Sequence, residues 1–161
     1  MKKECSAEEA RVKAEAYCAA AERCKADVSA KLQQWGVSAE AAGEILRRLE
    51  EERFIDEARY AAAFVRDKYR FDRWGRVKIS QALRMKRLDA LSIERALEHI
   101  DEGDYLDILT SLLEKKRASV KGDTDYERNG RLIRFAVGRG YEMNDILRCL
   151  QRIGCDDTYS E

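Results

Sequence analysis

The sequence contains no proline, one histidine, and no long run of apolar residues. At average usage a chain of 161 residues would carry roughly eight prolines. Proline breaks helix interiors, so its absence leaves long helical stretches open. The abundant residues, Ala, Leu, Glu, Lys and Arg, are strong helix formers. An all-α protein is expected. The longest uninterrupted apolar runs, Ala16 to Ala21 and Tyr60 to Val65, fall far short of the roughly 20 residues that cross a bilayer. No membrane association is expected. The first residues, Met1-Lys2-Lys3-Glu4, carry no apolar core of the kind an export signal needs.

Metal and redox chemistry are equally poorly served. The five cysteines, Cys5, Cys18, Cys24, Cys149 and Cys155, form no C-x-x-C pair, and His99 alone adds an imidazole. They read as free thiols in a reducing cytoplasm, with Cys149 and Cys155 near enough in sequence to pair on oxidation. No G-x-x-x-x-G-K-[ST] phosphate loop and no G-x-S-x-G nucleophile turn occur. Gly138-Arg139-Gly140 lacks the third glycine of a dinucleotide site and reads as a turn. His99 sits in an acidic context with no nucleophile patterned beside it. Neither an enzyme nor a bound cofactor is expected.

What the chain does have is a repeat. Gly36, Arg87 and Gly140 are spaced by 51 and then 53 residues. Eight positions before them stand Val28, Ile79 and Leu132; four before stand Leu32, Leu83 and Ala136. One position after come Val37, Leu88 and Tyr141, and six after come Ala42, Ile93 and Ile146. Ten after are Leu46, Leu97 and Leu150; thirteen after are Leu49, Ile100 and Ile153. Steps of four and three mark one face of a helix before each anchor and one after it. Glycine at two anchors suits a left-handed helix end, and Ser38 and Asp89 are placed to cap the next helix.

Each unit also has an earlier helix. Ser6-Ala7-Glu8-Glu9 is a capping box, with Ala10, Ala14, Tyr17, Ala21 and Cys24 as the core stripe. Asp56 caps the second unit's first helix, whose stripe is Tyr60, Ala61, Phe64, Val65 and Tyr69. Leu106, Leu109, Leu112 and Leu113 serve the third unit, and Thr124-Asp125-Tyr126-Glu127 is a further capping box. The small, polar stretch Ala118 to Asp123 before it is expected to be a mobile loop. The chain thus divides into three three-helix repeats, 6–52, 53–103 and 104–155. Stacked in tandem, they would form an elongated array able to curve.

Charge is balanced at 31 basic and 31 acidic residues, but unevenly spread. Between Arg66 and Arg87 nine basic residues face only Asp67 and Asp72, a local charge of +7. Tyr69, Phe71 and Trp74 are interleaved with them, a mixture suited to phosphate contact and base stacking. Arg66, Lys68, Arg70, Arg73, Trp74, Arg76, Lys78 and Arg84 are the candidate contact residues, and reversing the charges of Arg70, Arg73 and Arg76 together is expected to leave the fold intact. Glu98, Asp101, Glu102, Asp104 and Asp107 form an acidic stretch suited to a basic partner. The same runs also occur as plain solvated faces. The basic residues from Arg76 to Arg87 share no single stripe, since Lys78 and Arg84 point about 120° apart at 100° per residue.

Phe54-Ile55-Asp56-Glu57-Ala58-Arg59-Tyr60-Ala61-Ala62-Ala63-Phe64-Val65-Arg66, followed by Gly75-Arg76-Val77-Lys78-Ile79 and Leu83, resembles the RecX family of bacterial recombination regulators. Arg87 stands where that family usually turns on glycine, and Lys78 where arginine is commoner. The resemblance implies tandem three-helix repeats in a cytoplasmic protein that binds the RecA recombinase filament and its single- or double-stranded DNA; a monomer is expected. It implies restraint of the recombinase and carries no catalytic residue. The alternative is a free-standing helix-turn-helix DNA-binding regulator that inserts Val77–Leu88 into a groove, which would need a base-reading face near that helix's N-terminus. A third reading, a helical adaptor, leaves the basic run idle.

Overall fold

The computed structural model describes residues 6–154. Within them the chain is helical: α1 Ala7–Ala20, α2 Lys25–Gln34, α3 Ala39–Glu51, α4 Glu57–Arg70, α5 Arg76–Met85, α6 Ala90–Leu97, α7 Glu102–Arg117, α8 Asp125–Gly138 and α9 Met143–Arg152. No strand occurs among the described residues. Cys5 and Cys155, and with Cys155 any pairing to Cys149, lie outside them.

The anticipated caps form. Ser6 Oγ accepts from Glu9 N at 3.2 Å, Ser38 Oγ from Ala41 N at 3.2 Å, and Asp56 Oδ1 from Arg59 N at 3.0 Å. Asp89 Oδ1 accepts from Ser92 N at 2.7 Å and Thr124 Oγ1 from Glu127 N at 3.1 Å. Each satisfies an amide that the helix itself leaves open. Glu127 returns its carboxylate to Asp123 N at 3.0 Å rather than to the cap residue. With Arg128 donating to the Gly122 carbonyl at 2.6 Å and Arg131 to that of Lys121, three bonds tie down the loop expected to be mobile.

All three repeat anchors adopt the left-handed conformation: Gly36 at φ 77°, Arg87 at φ 65°, Gly140 at φ 95°. Behind each, the next amide reaches back to close the turn, Val37 to Leu32 O, Leu88 to Leu83 O and Tyr141 to Ala136 O. Arg87 therefore makes the same turn as the glycines, against the usual preference of a residue with a Cβ. None of the eighteen repeat positions is exposed. The first stripe departs from expectation at its end: α1 stops at Ala20, Ala21 is exposed, and buried Cys24 caps α2 instead.

Tertiary contacts divide the chain into two compact units. One takes the described residues up to Phe64 together with Leu83–Ala96; the other takes Val65–Ala82 and the described residues from Leu97 onward. In the first, α1, α2 and α3 bury Ala10, Ala14, Val28, Leu32, Ile45, Leu49 and Ile55 against one another, with Trp35 and Phe54 half-buried around them. In the second, α7, α8 and α9 enclose Leu106, Leu109, Leu113, Leu132, Ile146 and Leu150. A fully buried leucine contributes about 1.5–3 kcal/mol relative to exposure, so these clusters dominate the stability of each unit. Burial raises the pKa of the Cys18, Cys24 and Cys149 thiols, disfavouring reactive thiolates.

Candidate nucleic-acid interface

The basic stretch begins on the last two turns of α4. Tyr69 is buried and fixes the helix face, leaving Arg66 and Arg70 exposed. The helix ends in a left-handed residue, Arg73 at φ 57°, and Trp74 N returns to Lys68 O at 2.9 Å. This places Trp74 beside two ammonium groups, Lys68 Nζ at 4.6 Å and Lys78 Nζ at 4.5 Å from its ring centroid.

Gly75 then starts α5 in very close contact with the turn between α8 and α9. Gly75 N donates to Arg139 O at 2.8 Å, Arg76 N to Tyr105 Oη at 3.0 Å and Val77 N to Gly140 O at 3.0 Å. Three amides that α5 cannot satisfy internally are thereby paired. Only glycines allow it. A Cβ on Gly75 would lie 2.2 Å from the Gly140 carbonyl carbon, and one on Gly140 2.4 Å from Lys78 Cβ.

The eight candidate residues fall into two electrostatic groups. Arg76 is half-buried: its guanidinium lies 4.2 Å from the Tyr105 ring centroid and pairs with Glu102 at 2.5 Å and Asp145 at 3.4 Å. Burial opposes its charge, but the Glu102 bond, Tyr105 and the Asp145 charge outweigh this and raise its pKa. Burial also pushes the Tyr105 hydroxyl up to about 12, so it remains a neutral cap. Arg70 pairs with Asp104 at 3.3 Å and donates to Tyr69 Oη at 3.0 Å; Lys68 pairs with Asp72 at 2.7 Å. By contrast, Arg66, Arg73, Lys78 and Arg84 make no ion pair among the described residues. Arg84, exposed on α5, falls in the other compact unit.

Arg76 thus departs from the expectation that Arg70, Arg73 and Arg76 are all dispensable surface charges. Reversing it would set a carboxylate against Glu102 and buried Asp145 and disturb the fold. The acidic stretch likewise serves the chain's own cations: Glu102 meets Arg76 and Arg148, Asp104 meets Arg70, Asp107 meets Arg152, and Asp101 caps α7.

The structure adds residues that sequence pattern missed. Arg139 Nη1 donates to Asp72 O at 3.3 Å, while its guanidinium lies 5.5 Å from the Phe135 ring centroid. Lys116 Nζ approaches the same ring at 5.0 Å. A second aromatic residue with flanking cations therefore adjoins the turn that carries Trp74. Its one sequence signal was the Gly138-Arg139-Gly140 segment, read there only as a turn.

Two family models match: "RecX, second three-helix domain" over residues 56–97 and "RecX, third three-helix domain" over residues 102–150. A Regulatory protein RecX from Pseudomonas savastanoi pv. phaseolicola is 32% identical over 84% of this chain and 86% of its own. One from Oceanobacillus iheyensis is 28% identical over 86% of this chain, which spans about half, 52%, of that relative. The crystal structure of RecX from Lactobacillus salivarius superposes with a TM-score of 0.81 at 21% identity, covering 91% of this chain and 96% of that one, a likeness of fold. With two matching domain models across the basic and third helix sets and relatives aligned along most of its length, the chain belongs to the RecX family.

Proposed function

We propose that this chain is a non-enzymatic regulator that binds a RecA-type recombinase filament on DNA and restrains its activity. The observation carrying this is a set of cations that make no ion pair among the described residues, Arg66 on α4, Arg73 before Trp74 and Lys78 against its ring, with Arg139 bonded to the same turn, in a RecX-family chain. Such groups are free to displace counterions from phosphates. They act as positioning contacts and carry no sequence readout. The reading takes 6–52, 53–103 and 104–155 as the repeats of a cytoplasmic monomer, with the basic one central. The groove-inserting alternative is weakened by the first turn of α5: its amides are already bonded to Arg139, Tyr105 and Gly140, and Arg76 is engaged by Glu102 and Asp145.

The test is salt dependence combined with recombinase capture. Four phosphate contacts give a slope of log affinity for single-stranded DNA against log salt near −0.7 × 4, roughly −3. Reversing Arg66 and Arg73 together, with Arg76 left intact, should flatten the slope and weaken both capture of the DNA-bound recombinase and its restraint. A folded double variant that restrains the recombinase at wild-type potency would exclude this surface.

A further inference from the structure

We infer that Phe71, and not Trp74, is the side chain that stacks on an unpaired base of single-stranded nucleic acid, while Trp74 holds Lys68 and Lys78 in place for phosphates. The inference rests on the nucleic-acid reading above and assigns roles within it. A base can stack only on a ring face that is free. Trp74 is half-buried, with one ammonium at 4.6 Å and another at 4.5 Å from its ring centroid. A base arriving there competes with these cations for the ring. Its geometry suits a post that aligns two lysines, because the attraction between ammonium and ring limits where each lysine head can go.

Phe71 is the opposite case. It is 79% exposed and touches no other aromatic ring or cation among the described residues. An isolated exposed apolar residue is ordinary on a protein surface; this one is set apart by its support and its surroundings. Phe71 N donates to Asp67 O at 2.9 Å, the next residue donates to the same carbonyl, and Trp74 N closes onto Lys68 O. Arg139 holds Asp72 O from the other side. The ring is therefore presented on a turn fixed at both ends, which lowers the ordering cost of binding. Around it in sequence stand Arg66 and Arg73, which make no ion pair among the described residues and suit the phosphates that accompany a base, with Lys68 paired to Asp72 and Arg70 to Asp104. Those charges favour a nucleic acid over an apolar protein groove as the occupant. Stacking on such a ring is tolerant of base identity, as a filament-bound strand of any sequence requires.

The experiment compares the 161-residue wild-type chain with Phe71→Ala, Phe71→Trp and Trp74→Ala, on oligothymidylate and on an abasic oligomer of equal length and charge. Wild type should prefer the base-bearing strand. Phe71→Ala should lose about five- to 150-fold on that strand, with the abasic affinity and the salt slope unchanged. Phe71→Trp should restore the preference, and its added fluorescence should be quenched by oligothymidylate and not by the abasic strand. Trp74→Ala should weaken both strands alike. If wild type binds with the expected salt slope yet Phe71→Ala keeps the preference, the assignment of Phe71 is overturned while the nucleic-acid reading stands. If neither strand binds with a salt slope, the nucleic-acid reading itself fails. If Phe71→Ala binds both strands as wild type does but loses capture of the recombinase, the ring is a protein anchor and the assignment is wrong.

Discussion

Substituting Gly75 by alanine puts the largest mechanical demand on the smallest chemical change. The new methyl would lie 2.2 Å from the Gly140 carbonyl carbon, 2.3 Å from its oxygen and 2.3 Å from Tyr141 N. All three are backbone atoms, so no side chain can swing aside. The α5 start and the α8–α9 turn must separate by more than an ångström to reach ordinary contact. Overpacking of this kind typically costs about 1–3 kcal/mol. Separation also stretches the bonds from Gly75, Arg76 and Val77 amides, each contributing about 1 kcal/mol net. A loss of about 2–5 kcal/mol follows, a large share of the roughly 5–15 kcal/mol that stabilises a typical domain. Urea denaturation followed by far-ultraviolet circular dichroism measures it. Gly43→Ala is the control: Gly43 lies inside α3 with no atom within 4 Å of the added methyl. It should gain about 0.5–1 kcal/mol. If Gly43 behaves so and Gly75→Ala loses less than about 1 kcal/mol, the close backbone packing described for this turn is wrong.

Two further outcomes are expected. Arg73→Gly should raise stability by up to about 1 kcal/mol, because a glycine relieves the left-handed backbone at φ 57°, yet weaken single-stranded DNA binding by removing an unpaired cation. Parallel melting and binding curves would show whether the two effects move in opposite directions. Glu57 is a carboxylate with one oxygen, Oε2, buried and unpartnered; burial, and the nearby Glu50 and Asp89 charges, raise its pKa above 4.5 despite Lys25. An acid whose pKa is raised on folding stabilises below its unfolded pKa, and that stability is lost as pH rises through the folded value. Glu57→Gln should therefore stabilise the protein at neutral pH and remove stability loss between about pH 4.5 and the raised value; an unchanged pH profile of denaturation midpoints would contradict this.

The helices were legible because their signals are local. Ser6, Ser38, Asp56, Asp89 and Thr124 announced helix starts, and spacing from the three anchors located the buried faces. Even Arg87, a residue that disfavours a left-handed turn, was marked by its position in the period. The ends of elements were less clear: Ala21 and Cys24 continued the α1 stripe by spacing, but the chain had already turned, and Cys24 served the next helix. Least legible was the state of each charge. Arg66 and Arg76 look alike in a basic run, yet one is unpaired while the other is held by Glu102, Asp145 and the Tyr105 ring. Those partners lie 26 to 69 residues away, and no short-range pattern encodes such pairings. Phe135 and Arg139 escaped notice for the same reason.

The docking of α5 onto the α8–α9 turn has a consequence for how the protein can be dissected. A fragment cut out at the sequence period, ending at residue 103, would carry α5 without Tyr105, Arg139 or Gly140. The amides of Gly75, Arg76 and Val77 would lose their acceptors, and the Arg76 guanidinium would lose Asp145 and its aromatic platform. Water can solvate those groups, but it cannot replace the backbone contact that holds the Trp74 turn in place. The turn that carries Trp74 thus depends on residues from both sides of position 103, and no cut at that point leaves it whole.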